Sequence, residues 1–132
     1  MADSDKFLKD VDVVVFQPSY NVLKLEGGAG AGKTAAALGM VSWLINKQEE
    51  VVAYIDRDLA ADPRWYKSFG IPIDDPDLFM VIQPNTNEKT LDLLRVLLQN
   101  KATVVIDGLH PFVGPSYTLV MVPNGVLIEE SA

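Results

Sequence analysis

The sequence has no cysteine, which excludes disulfides and thiolate-bound metal. Histidine is almost as scarce: His110 is the single one, and with Pro111 and Phe112 beside it, it reads as a loop residue rather than a catalyst. No His, Asp and Glu set has zinc spacing. No apolar run approaches the ~18 residues that a membrane span needs. The start, Met1-Ala2-Asp3-Ser4-Asp5, has neither the basic start nor the apolar stretch of a signal peptide. A cytoplasmic location is the default expectation, with no membrane partner. Positive charge is also in short supply: 11 Lys and Arg face 18 Asp and Glu, for a net charge of −7. A phosphate-backbone binder needs a basic patch, because its affinity rests on neutralised phosphates. Nucleic acid binding by the isolated chain is therefore disfavoured.

What remains is 132 residues, 48% of them hydrophobic. That suits one globular domain over residues 1–132, with no repeat, linker or low-complexity tract. The β-branched run Val11 to Phe16 predicts a strand stopped by Pro18. Val22 to Leu25 predicts another, and Gly27 to Gly32 a glycine-rich turn. Ala37, Met40, Val41, Leu44 and Ile45 form the apolar stripe of an amphipathic helix, with Trp43 near it. Val51 to Ile55 reads as a buried parallel strand. Asp62-Pro63 reads as an N-cap with proline at the first helical position, and Gly70 as the end of that short helix. Leu78 to Ile82 is a further strand. Asn85 and Glu88, at capping-box-like spacing, precede a helix carrying Leu91, Leu94 and Leu98. Thr103 to Ile106 is a strand ending in Asp107. This alternation predicts an α/β fold with a mainly parallel sheet. Only a short connection separates Asp107 from the apolar run Tyr117 to Val122, and a parallel crossover needs about a dozen residues. Pro123-Asn124-Gly125 is a turn signal. Residues 117–130 are therefore expected to form an antiparallel hairpin added to the sheet.

Gly27-Gly28-Ala29-Gly30-Ala31-Gly32-Lys33-Thr34 matches the phosphate-loop pattern G-x-x-x-x-G-K-[ST] in full. Glycines let successive backbone N–H groups approach phosphate oxygens. The helix that follows aims its positive end at the same place. Lys33 is expected to neutralise the β- and γ-phosphates of ATP, and the Thr34 hydroxyl to ligate Mg²⁺. Mg²⁺ needs a second anchor, and Asp107 at the end of an apolar strand has the right form. The alternative is an Asp that merely caps a loop. A catalytic Glu often follows such an Asp, but here the next residue is Gly108. Asp56 and Asp58, just beyond another strand, are candidates to polarise a water; the competing reading is a solvated acidic turn.

These pieces in order resemble the ATPase core of the RecA recombinases. The matching segments are Tyr54-Ile55-Asp56-Arg57-Asp58, Asp62-Pro63-Arg64-Trp65, Ile82-Gln83-Pro84-Asn85-Thr86 and Val104-Val105-Ile106-Asp107, and the resemblance is strongest over residues 22–112. It implies a P-loop fold in which Lys33 and Thr34 hold phosphate and Mg²⁺, and Asp107 supports Mg²⁺ through water. Asp58 falls where the family has its catalytic Glu. Asp62 falls where an acid contacts adenine, and Trp65 where an aromatic stacks on it. For Trp65 the alternative is a core residue of its helix. A carboxylate one methylene shorter than Glu implies slow or absent hydrolysis, since a misplacement of about 1 Å can cost on the order of a hundredfold in rate. The family's DNA-binding loops have no room here, and its N-terminal polymerisation elements have no clear counterpart. Residues 117–124 also faintly resemble the family's next core strand, which would make Asn124 its polar sensor. The expected function is an ATP- and Mg²⁺-binding domain with weak or assembly-dependent hydrolysis, linked to DNA recombination or repair, acting as a homo-oligomer or within a larger assembly. A non-hydrolysing nucleotide-binding or structural subunit is the alternative. A small-acceptor kinase is disfavoured, for want of an arginine-rich lid.

Overall fold

The computed structural model describes residues 3–27, 32–59 and 62–126. Elements follow in the order α1 (Asp3–Val15), β1 (Tyr20–Glu26), α2 (Lys33–Gln48), β2 (Val52–Asp56), α3 (Pro63–Ser68), β3 (Phe79–Ile82), α4 (Asn87–Gln99), β4 (Thr103–Leu109) and β5 (Tyr117–Pro123). The five strands make one sheet in the order β1-β5-β4-β2-β3. β2 runs parallel to β3 and to β4, while β5 runs antiparallel to both β1 and β4. Four strands thus point one way, and β5 alone opposes them.

Side chains that alternate along the strands feed two cores. On one face Ile55, Val104, Ile106, Leu119 and Met121 pack with Phe7, Val11 and Val15 of α1 and Leu94 and Leu98 of α4. On the other Val52, Tyr54, Val105, Val120 and Val122 pack with Leu38, Val41 and Leu44 of α2 and Tyr66 of α3. Every residue of β2 and β4 is buried, as the continuous apolar runs of central strands require.

Residues 11–15 of the predicted strand over 11–16 are instead the end of helix α1. Phe7, Val11 and Val15 recur every fourth residue and are buried, while Val13 and Phe16 are 80% and 60% exposed. A strand would put Val11, Val13 and Val15 on one face, so burial selects the helical period over the β-branched composition. The helix stripe on α2 and the Asp62 cap of α3 stand as expected. The cap of α4 is Thr86, whose side chain accepts from the Lys89 N–H, one residue beyond the expected Asn85.

The C-terminal segment requires a further correction. β5 is antiparallel as expected, but it is not added at an edge: it lies in the interior, hydrogen-bonded on both sides, with Tyr20↔Pro123 on β1 and Val105↔Val120 on β4 in register. The expected turn follows it, with the Val126 N–H donating to the Pro123 carbonyl at 3.3 Å. The second limb falls almost wholly on residues 127–130, outside the described residues. β5 fills the slot between β1 and β4. Only a short loop leads into it, so it enters from the end where β4 stops and must run backwards.

Candidate functional site

The carboxyl ends of β1, β4, β2 and β3 and the start of β5 meet at one edge of the sheet, where open α/β sheets bind their ligands. β1 ends at Glu26, and Gly27 to Thr34 carry the chain into α2. Of these loop residues Gly28, Ala29, Gly30 and Ala31 lie outside the described residues. Gly32 precedes α2 with φ 83°, a left-handed value that glycine adopts without the Cβ penalty. Lys33 and Thr34 open the helix, at its electropositive end.

Both side chains have definite partners. Lys33 Nζ donates to the Gly27 carbonyl and to Ser116 Oγ, each at 2.7 Å. Thr34 Oγ1 donates to Asp107 Oδ2 at 3.0 Å. Asp107, near the end of β4, is only 6% exposed. Its Oδ2 also accepts from the Tyr54 hydroxyl at 2.6 Å, and its Oδ1 from Thr118 Oγ1 at 3.0 Å. Four elements therefore converge on one buried carboxylate: α2, β2, β4 and β5. Burial, with Asp107 alongside, pushes the Tyr54 phenol far above its usual range, so Tyr54 remains a donor at any physiological pH.

The two candidate water-polarising acids part company. Asp56 is buried, 1% exposed, and accepts from Gln83 Nε2 at 3.2 Å. Asp58 is about half-exposed and its Oδ1 lies 2.7 Å from His110 Nε2. It packs against Gly108, where a Cβ would stand 2.7 Å from the carboxylate. Gly108 also has φ 104° and sits at the register shift between Asp107 and Leu109. The residue after Asp107 is thus a glycine for two steric reasons: the bulge and the close approach of Asp58.

Asp62 and Trp65 lie on α3. Asp62 caps the helix by accepting from the Arg64 N–H at 2.9 Å and pairs with the Arg64 guanidinium at 3.0 Å. Those hydrogen bonds lower its pKa. Trp65 is 39% exposed with its ring centroid 6.3 Å from that of Phe69; the core residue of α3 is Tyr66 instead. Beside them, Pro63, Tyr66, Ile73, Phe79, Val81 and Gln83 line a cavity of about 460 Å³. Asn124 lies at the opposite end of β5, donating to the carbonyls of Ser19 and Pro18, so it is not a sensor at this edge.

The structure thus brings Gly27, Lys33, Thr34 and Asp107 together and adds Tyr54, Ser116 and Thr118, which the sequence reading missed. A signal existed for two of them. Tyr54 and Thr118 are polar atoms inside otherwise apolar strands, and a buried polar atom needs a partner. Ser116 had no such signal, because its place depends on the direction of β5. No helix among the described residues is long and apolar enough to cross a membrane.

The chain resembles known proteins over most of its length. The chain is 35% identical over 100 residues to Protein RecA of Mycobacterium ulcerans, covering 73% of this chain and 27% of that protein. It is 30% identical over 98 residues to Protein RecA of Mesomycoplasma hyopneumoniae (strain 7448), covering 73% and 28% respectively. Against Protein RecA of Treponema denticola it is 34% identical over 89 residues, covering 67% of the chain and 20% of that protein. The chain spans about a quarter of the length of these relatives. No solved structure matches it. The family model of the RecA N-terminal domain matches residues 11–116, and the chain belongs to that family.

Proposed function

We propose that the chain binds ATP with Mg²⁺ at the sheet edge formed by Gly27 to Thr34 and Asp107. The observation that carries this reading is the 3.0 Å contact of Thr34 Oγ1 with Asp107 Oδ2, made by two residues far apart in sequence at the mouth of a complete phosphate-loop motif. The donor set fits Mg²⁺. The Thr34 hydroxyl would ligate the ion and the adjacent Asp107 carboxylate would support it through water, both being the hard oxygen donors that Mg²⁺ takes. Among the described residues no three His, Cys, Asp or Glu gather to cage an ion. Mg²⁺ suits so sparse a set, since it keeps several waters and takes the rest of its ligands from substrate phosphates. When bound it supplies neutralisation of phosphate charge. The chain's own share is to hold the phosphates with Lys33 and the loop amides, and to fix the Asp107 carboxylate with three hydroxyls. Asp62 and Trp65 would take the adenine end.

Hydrolysis in this reading is weak or depends on assembly with further subunits, in the setting of DNA recombination or repair. Asp58 would orient the attacking water, yet its carboxylate is already bonded to His110 at 2.7 Å. That contact favours, as a second reading, a nucleotide-binding or structural subunit without turnover. The −7 charge supports no autonomous nucleic acid binding.

At a ligand concentration about 100 times Kd, Mg-ATP should stabilise the fold by about 2.7 kcal/mol. Lys33→Ala should abolish that stabilisation in a thermal melt, and an undiminished shift in the variant would sink the proposal. Phosphate release from Mg-ATP, with and without single-stranded DNA, separates the two readings of turnover.

A further inference from the structure

We propose that Ser116 is a phosphate-binding residue of this site, its hydroxyl sharing with Lys33 the oxygens of the terminal phosphate of a nucleoside triphosphate. This rests on the nucleotide-binding reading above and adds to it a residue outside the loop motif. The register of β1 with β5 ends at Glu26↔Tyr117, which sets Ser116 opposite Gly27, where the phosphate loop leaves the sheet. The backbone confirms the placement: the Gly27 N–H donates to the Ser116 carbonyl at 3.4 Å.

The hydroxyl is poised for an anion. Ser116 Oγ accepts from Lys33 Nζ at 2.7 Å. Among the described residues its own hydrogen reaches only the Gly27 carbonyl, at 3.4 Å, a long bond by the standard of O–H donors. A phosphate oxygen offers the same hydrogen a shorter, charge-assisted bond. Lys33 has three N–H groups, and among the described residues two of them serve Gly27 and Ser116. A phosphate with one oxygen on the third N–H can turn a second of its oxygens toward the Ser116 hydroxyl, which lies 2.7 Å from the same nitrogen.

The direction of β5 explains why a serine holds this post. Because β5 runs antiparallel, its start lies at the phosphate edge and its end lies far away. Ser116 immediately precedes β5, two residues before Thr118. Thr118 bonds Asp107 and Ser116 bonds Lys33, so the start of β5 and the residue just before it touch both charged members of the site. The part of a nucleotide that Lys33 and Asp107 share is the end of its phosphate chain, which makes the terminal phosphate the ligand of Ser116.

Calorimetric titration of wild type, Ser116→Ala and Ser116→Thr with Mg-ATP and with Mg-ADP tests this. Ser116→Ala should weaken Mg-ATP by about tenfold or more, the size expected for a hydrogen bond to a charged group, and Mg-ADP by less than about twofold. Ser116→Thr should restore Mg-ATP binding. The melting temperature of the nucleotide-free Ala variant should stay near wild type. Equal losses for the two nucleotides, or a lowered nucleotide-free melting temperature with no preference for ATP, would show Ser116 only straps Gly27 and overturn the inference. An unchanged Mg-ATP affinity overturns it too. Wild type that binds neither nucleotide would instead overturn the nucleotide reading, and this inference with it.

Discussion

Asp107 accepts hydrogen bonds from Thr34, Tyr54 and Thr118 while almost fully buried. A buried carboxylate is tolerable only when so satisfied. Tyr54→Phe keeps the ring's packing against Tyr66 and Phe79 and removes one donor. It should cost about 1.5–3 kcal/mol in urea unfolding, the value for a hydrogen bond to a charged group; no loss would mean water replaces the phenol. Gly108 is a second site where one atom matters. In Gly108→Ala the new Cβ would lie 2.7 Å from the Asp58 carboxylate, on a backbone with φ 104°. The variant should lose about 1–3 kcal/mol and displace Asp58 from His110. An unshifted His110 imidazole resonance would contradict that contact.

At the scale of elements, α1 shows where composition misleads. Val11 and Val15 are fully buried and Val13 is 80% exposed. Val11→Lys should therefore cost more than about 3 kcal/mol, as burying an unpaired charge does. Val13→Lys should stay within about 0.5 kcal/mol. Equal effects of the two would restore the strand. α2, β2, α3, β3, α4 and β4 were legible because caps, apolar stripes and glycine stops agree with one another along the chain. The phosphate-loop pattern and Asp107 were legible for a different reason: they are local patterns with fixed spacing. α1 was hidden by β-branched residues whose helical period appears only when Phe7 and Leu8 are counted with Val11 and Val15. The place of β5 was hidden because strand order is a long-range property. Its apolar run announces a strand, and its short approach announces an antiparallel one. Neither tells that the strand fills the interior slot between β1 and β4, and Ser116 and Thr118 reach the site only through that placement.

For the whole molecule, the sheet and its two helical layers bury phenols at many points. Burial raises Tyr20 to about 12 and raises Tyr54, Tyr66 and Tyr117 as well. A phenol of an unfolded chain ionises near pH 10. With folded values above that, the stabilisation is complete below about pH 10 and is lost as the pH climbs from 10 toward 12 and beyond. Urea midpoints should be flat from about pH 8 to 9.5 and then fall, with phenolate absorbance appearing together with unfolding. The family's N-terminal domain and a buried, hydroxyl-bound carboxylate beside a phosphate loop support one central claim, that this edge holds Mg-ATP. The most direct measurement is a calorimetric titration of the chain with ATP, with and without Mg²⁺, on wild type and on Asp107→Asn. The account predicts saturable binding by wild type that tightens when Mg²⁺ is added, and a variant that binds ATP but no longer gains from Mg²⁺. Absence of binding in a folded sample, or an equal gain from Mg²⁺ in both proteins, would contradict it.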